Sequence, residues 1–354
     1  MTQKIDIASL LPEELSKTLE NISEEHGIKI QSFRTKQIFS WLTSGVSSFE
    51  EMTNVPKNIR EILDETCYIS LPQIENKLVS KIDGTVKYLF RLYDGECIES
   101  VFMRYEHGNT VCISSQAGCK MGCRFCASTI AGFSRNLTPS EILGQVIAAQ
   151  KDTGERVSNI VMMGIGEPLD NFDNVVKFLK LVNHADGLNI GYRHISLSTC
   201  GIVPKIDELA KLELPITLSI SLHATTQAER ENLMPVAKKY NLESLISSCR
   251  AYIKKCGRRI SFEYTMIEGE NDSPEHAKRL CSMLSGMLCH VNLIPLNTVE
   301  GRDYRKSGSM AIKNFVSILE SYGFAATVRR KLGSDIDASC GQLRASKIDS
   351  ENPR

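Results

Sequence analysis

No apolar run in this 354-residue sequence approaches the roughly 18 residues that a membrane-spanning helix needs, which argues against a membrane protein. The opening residues, Met1-Thr2-Gln3-Lys4-Ile5-Asp6, lack the apolar stretch of a signal peptide, so a secreted, disulfide-stapled domain is not expected. Net charge is missing as well. The 42 Lys and Arg balance the 42 Asp and Glu, leaving no bulk field to gather a polyanion, and any such partner must be held by local patches. No solenoid-type repeat recurs along the chain. Hydrophobic residues do make up 42% of the total, enough for a core and too many for global disorder. The length suits one large domain with a smaller one. The one excess is cysteine, with twelve. In the reducing cytoplasm expected for this chain, such thiols are buried, metal-bound or catalytic.

Residues 1–75 read as helical. Leu11, Leu15, Leu19 and Ile22 recur at helical spacing, and Pro12 suits a first turn. A second helix is expected over Arg34–Leu42, and a third begins near Lys57, after Pro56. From 76 to 104 the pattern turns strand-like around Asp83-Gly84, a hairpin signal. Residues 105–344 then alternate short apolar strands with helical stretches. The strands are Ile160–Met163, His194–Ser198, Ile216–Leu222, Ile260–Met266, Val291–Leu296 and Ala326–Arg329. The helices include Glu141–Gln150, Val175–Asn183 and Leu242–Lys255. That alternation predicts parallel βα units, an α/β fold. The tail from 345 to 354 is polar and reads as loose.

The strongest chemical signal is Cys119-Lys120-Met121-Gly122-Cys123-Arg124-Phe125-Cys126. Gly118 and Gly122 let the backbone fold tightly enough for three thiols to converge. A tetrahedral zinc would want a fourth ligand from a second CxxC or a His pair, and none follows at that spacing. Three thiolates suit a four-iron cluster with one iron left for an outside ligand. Three buried structural cysteines are the plainer reading, which this density with interleaved glycines disfavours.

The C-x3-C-x2-C spacing is similar to the signature of the radical SAM superfamily. Met163-Gly164-Ile165-Gly166-Glu167-Pro168, placed after a strand, resembles that superfamily's GGEP-type motif. Further segments narrow the likeness: Cys112 to Cys119, His290 to Asn297, and Gly333 to Leu343 with Cys340. Together they resemble the RlmN/Cfr family of radical SAM adenine methyltransferases over essentially the whole chain, the outlying Cys112 and Cys340 pointing to that family in particular. The resemblance implies a partial (β/α)6 TIM-like barrel, with a small helical accessory domain that contacts RNA and a β-hairpin connector. It implies a [4Fe-4S] cluster on Cys119, Cys123 and Cys126, and two S-adenosylmethionine molecules per turnover. Contacts to S-adenosylmethionine carry over to Gly166, Glu167, Ser198, Ser221, Leu222, His223 and Asn297.

The family's chemistry explains the two outlying thiols. Carbon 2 of adenine is electrophilic, so direct methyl transfer has no nucleophile there. By the resemblance, Cys340 is first methylated on sulfur, and a 5′-deoxyadenosyl radical takes a hydrogen from that methyl. The methylene radical then adds to the base, and Cys112 releases the product through a transient Cys112–Cys340 disulfide. Glu99 matches the family's proton acceptor, with Cys112 as a rival. Taken alone, Cys112 reads as core, Glu99 as a solvated strand residue and His223 as a structural histidine. The implied substrates are 23S rRNA near the peptidyl transferase centre and a tRNA anticodon loop, where a base edge can be exposed. A flavodoxin or ferredoxin is the implied electron donor, and nothing demands more than a monomer. Pro168 and the runs after Asn297 and Val328 favour C2 over the C8 methylation of Cfr-type enzymes. A non-catalytic, metal-stabilised RNA-binding module is the reading from another class. Basic runs at 254–259, 302–306 and 329–331 form a phosphate-binding rim if they share the cluster's face.

Overall fold

Period-two alternation in the middle of the chain decides the architecture. Ile195-Ser196-Leu197-Ser198-Thr199 and Ile260-Ser261-Phe262-Glu263-Tyr264-Thr265-Met266 send apolar and polar side chains to opposite sheet faces. The computed structural model describes residues 4–297, 299, 301–336 and 338. At the N-terminus, α1 (Pro12–Glu25), α2 (Phe33–Ser44) and α3 (Lys57–Thr66) pack together, and β1 (Ile5–Asp6) pairs in parallel with β2 (Cys67–Tyr68). Pro12 occupies the first turn of α1, as its fixed φ favours.

The hairpin expected at Asp83-Gly84 forms from β3 (Gln73–Val79) and β4 (Val86–Arg91). A third antiparallel strand, β5 (Cys97–Met103), extends it and pairs with β6 (Thr110–Cys112), so this connector is the antiparallel flank of the main sheet. After β6 the chain makes a small ribbon from β7 (Gln116–Gly118) and β8 (Phe133–Asn136), then alternates. The order is α4 (Pro139–Thr153), β9 (Asn159–Met162), α5 (Phe172–Asn183), β10 (Ile195–Thr199), α6 (Val203–Lys211), β11 (Thr217–Ser221), α7 (Gln227–Leu233), α8 (Leu242–Cys256), β12 (Ile260–Met266), α9 (Pro274–Leu284), β13 (Cys289–Pro295), α10 (Ser309–Ser321) and β14 (Ala326–Val328). The sheet runs β14-β13-β12-β11-β10-β9-β6-β5-β4-β3, parallel from β6 to β14. It is a six-unit βα array with one extra strand, open at β14 and β3.

Apolar residues of the strands, such as Leu197, Leu218, Phe262 and Leu293, pack under helix residues including Leu209, Leu245, Leu280 and Phe315. Burial of each such side chain contributes about 1.5–3 kcal/mol. The other face is polar: the register aligns Ser196 with Thr217, Ser198 with Ser219, Ser219 with Ser261, and Glu263 with Asn292. A closed barrel of this size fills such a face with branched aliphatics; here the face is polar.

One buried amide fixes the segment that enters the cysteine loop. Gln145 of α4 accepts from Ser100 Oγ and Ser114 N, and donates to the Ser114 and Glu141 carbonyls. The start of α4 is set by a capping box, Thr138 Oγ1 accepting from Glu141 N and Glu141 Oε2 from Thr138 N. No helix among the described residues is long and apolar enough to cross a membrane.

Candidate active site

The β7–β8 ribbon and α7 hold the cysteine loop between them. Cys119 N donates to Gly132 O at 2.8 Å, and Arg124 N to Leu233 O at 3.0 Å. Thr129 Oγ1 closes the loop on Cys126 O at 2.9 Å. Gly118 is required here: its φ is +77°, and a Cβ would run into the Gly132 carbonyl. Lys120 is paired with Asp170 at 2.9 Å. Gln116 donates to the same carboxylate and accepts from Glu167 N at 2.9 Å, joining the ribbon to the turn after β9.

Cys119, Cys123 and Cys126 line one wall of a cavity of about 240 Å³ at the C-terminal ends of the parallel strands, where open α/β sheets place ligands. Gly166, Glu167, Ser198, Ser221 and His223 line it as well, with Glu263 and Thr265 of β12. Gly166 sits at φ +103°, and a Cβ there would meet Gln116 at 2.6 Å. Residues from five segments far apart in sequence thus surround one volume.

Two family descriptions match this chain: Radical SAM superfamily over residues 113–281, and Ribosomal RNA large subunit methyltransferase N-terminal domain over 9–69. A Probable dual-specificity RNA methyltransferase RlmN of Alkaliphilus oremlandii (strain OhILAs) is 53% identical over 98% of this chain and 99% of its own length. The chain belongs to the RlmN family. Its counterpart in Clostridium tetani (strain Massachusetts / E88) is also 53% identical, over 97% of each chain. The crystal structure of a radical SAM methyltransferase from Sphaerobacter thermophilus superposes with a TM-score of 0.89 at 38% identity, over 96% of this chain and 98% of that one.

RlmN-family membership implies a 4Fe-4S cluster and S-adenosylmethionine, and the donor set fits them. Among the described residues, no three His, Cys, Asp or Glu side chains, the loop thiols included, are gathered around a single metal-ion position. The thiols form one side of a larger cavity, as a multi-iron body bound by thiolates requires. Burial pushes the Cys119 thiol up to about 12 and raises Cys123 further. Both are therefore protonated without metal, and ligation must release their protons.

Glu167 is buried, and burial raises its pKa against its hydrogen bonds. Its two oxygens accept from Leu169 N at 3.0 Å and Cys200 N at 2.7 Å, which ties the turns after β9 and β10 together. His223 lines the cavity, while its Nδ1 accepts from Thr265 N at 2.9 Å. That bond makes Nε2 the protonated nitrogen of the neutral ring. Burial, with the Arg230 charge behind it, lowers its pKa from 6.5 to about 3.

A pH effect follows. The unfolded chain protonates His223 below pH 6.5 while the folded chain resists until about 3, so this contribution is complete above 6.5 and is lost as pH falls toward 3. His223→Asn retains an acceptor for Thr265 and tolerates the φ of +57°. Urea unfolding between about pH 7 and pH 5 is expected to cost wild type about 2 kcal/mol more than this variant. Parallel losses would show that His223 is not buried neutral.

Of the other expected residues, Leu222, Asn297, Cys112 and Glu99 do not line this cavity. Leu222 is fully buried, its N–H donating to Glu263 O at 3.0 Å, so only its backbone is left for a ligand. Asn297 is exposed just beyond β13. Cys112 is buried on β6 opposite Val101, in an apolar group with Met103, Met163, Leu332 and Ala338. Cys340 lies outside the described residues. Glu99 is not the solvated strand residue it resembles in isolation: it is 3% exposed, with Lys87 Nζ 3.8 Å away and also buried. Of the basic runs, 254–259 closes α8 and precedes β12, at the strand end opposite the cavity. It shares no rim with 302–306 and 329–331, which follow β13 and β14 at the cavity end. Sequence reasoning missed Glu263 and Arg230. The alternation in β12 could have revealed Glu263, whereas no local pattern marked Arg230.

Proposed function

We propose that this protein methylates carbon 2 of a specific adenine in 23S rRNA, and of an adenosine in a tRNA anticodon loop, by radical chemistry. The observation that carries the proposal is the single cavity in which the three loop cysteines face Gly166, Glu167, Ser198, Ser221 and His223. Relatives named as dual-specificity RNA methyltransferases over nearly the whole chain support the substrate class. When bound, the cluster and two S-adenosylmethionines per turnover supply one-electron chemistry and the methyl carbon.

The chain's own residues do the rest. Cys119, Cys123 and Cys126 ligate three irons. Glu167 receives the ammonium of S-adenosylmethionine, and the Ser198 and Ser221 hydroxyls and the His223 Nε2–H offer hydrogen bonds. Cys340 carries the methyl as a thioether and presents it to the base. Glu99 accepts the C2 proton. Cys112 attacks the Cys340 sulfur, breaking its bond to the methylene carbon, which keeps the electron pair and takes up a proton to become the methyl group, and leaving a disulfide that an external thiol or electron donor reduces. The packing of Leu332 and Ala338 against Cys112 supports this pairing, because the chain reaches Cys340 two residues later. Arg302, Arg305, Lys306, Arg329, Arg330 and Lys331 serve as phosphate contacts at the cavity end.

The test is methylation of unmodified 23S rRNA and tRNA by reconstituted enzyme, with the product nucleoside identified against 2-methyl- and 8-methyladenosine standards. The expected product is 2-methyladenosine from both RNAs. 8-Methyladenosine, or no methylation by enzyme holding four irons, overturns the proposal.

A further inference from the structure

Charge is unbalanced at one point beside the site. Arg230, on α7, has no exposed surface. Its Nη2 donates to Cys200 O at 2.6 Å and Ser221 O at 3.2 Å, the carbonyls ending β10 and β11. Nε and Nη1 are buried without a hydrogen-bond partner among the described residues. The groups that raise its pKa against burial are thiols alone: Cys200, Cys123 and Cys249. A buried guanidinium without a carboxylate is strongly unfavourable by itself, and it is retained where an anion belongs nearby.

The fold shows where that anion belongs. The helix carrying Arg230 packs directly on the cysteine loop, through Arg124 N to Leu233 O at 3.0 Å and Arg124 Nη1 to Asn232 Oδ1 at 2.7 Å. Leu233 and Met234 share an apolar group with Cys123 and Cys200. Arg230 does not itself line the cavity, so it acts through its field rather than by touching a ligand.

We propose that Arg230 is the fixed counter-charge of the iron–sulfur cluster and sets its reduction potential. The inference rests on the reading of Cys119, Cys123 and Cys126 as cluster ligands. Reduction transfers one electron from an external low-potential donor to a body already bound by three thiolates, so its net charge becomes more negative by one. A guanidinium held in a low-dielectric interior favours that reduced state. Arg230 is thus a positioning residue for charge.

The test compares Arg230→Met and Arg230→Lys with wild type, after reconstitution, by iron and sulfide content and by a redox titration followed by electron paramagnetic resonance, without S-adenosylmethionine. R230M is expected to hold four irons and to lower the reduction equilibrium roughly tenfold, about 59 mV for one electron. R230K is expected to stay near wild type. An unshifted potential in iron-replete R230M overturns the proposal, as does R230K shifting as far as R230M, which would assign the effect to shape. If R230M does not fold, Arg230→Gln, which can keep the carbonyl hydrogen bonds without the charge, takes its place with the same expectations. Cys119→Ala separates the two readings: four irons retained there would overturn the ligand assignment, whatever Arg230 does.

Discussion

Cys112→Ala is expected to abolish turnover and leave RNA covalently attached to Cys340. In the proposed sequence the steps up to carbon–carbon bond formation need Cys340 and the cavity, loss of the C2 proton needs Glu99, and none of these needs the Cys112 thiol. Only release does, because a sulfur–carbon bond must be broken by a nucleophile aligned with it. Cys112 meets that requirement sterically. It is buried on β6 and faces the same apolar group as Met163, Leu332 and Ala338, so water is a poor substitute. Alanine removes one sulfur from a well-packed strand position and leaves the β5–β6 and β6–β9 ladders intact, at a stability cost of about 1–2 kcal/mol. Purified variant digested with nuclease and protease should give a Cys340 peptide heavier by a methylene-linked nucleotide. Free or simply methylated Cys340 in an iron-replete variant exposed to RNA would refute the release step assigned to Cys112.

Much of the fold was legible because its signals are local. Thr138, Pro139 and Glu141 announce α4 through capping and a proline at the first turn, and the helix begins at Pro139. The short apolar runs read as strands match β10, β11 and β12 to within one residue at each end. Local signals do not say which face of a strand is wet. Glu99, read alone, looks solvated, yet cross-strand pairing of β5 with β4 and β6 buries it beside Lys87. The basic run at 254–259 likewise reads as one more candidate contact, and only the parallel topology puts it at the wrong end of the sheet. Cys119, Cys123 and Cys126 were legible because their ligand geometry is written into an eight-residue loop. Arg230 was not, since its meaning depends on a helix from elsewhere in the chain packing against that loop.

That same locality makes Cys123→Ala the sharpest test of the metal assignment: iron is expected to be lost while the fold persists. The loop is held by backbone bonds that alanine keeps, from Cys119 N to Gly132 O, Arg124 N to Leu233 O and Cys126 N to Cys123 O. Cys123 packs with Cys200, Leu233 and Met234, so truncation to alanine opens only a sulfur-sized gap, worth about 1–2 kcal/mol. The effect on the cluster is far larger, because a three-cysteine site has no spare thiolate. Cys200 lines the same cavity, but burial and the Glu167 carboxylate hold its thiol well above the ordinary range, which disfavours it as a replacement. The variant should therefore be colourless after reconstitution, with iron near zero, wild-type-like far-ultraviolet circular dichroism and no RNA methylation. Retention of four irons would mean that Cys123 is one more buried structural thiol. Loss of the folded spectrum together with the iron would mean that the loop depends on the metal, contrary to its hydrogen bonding.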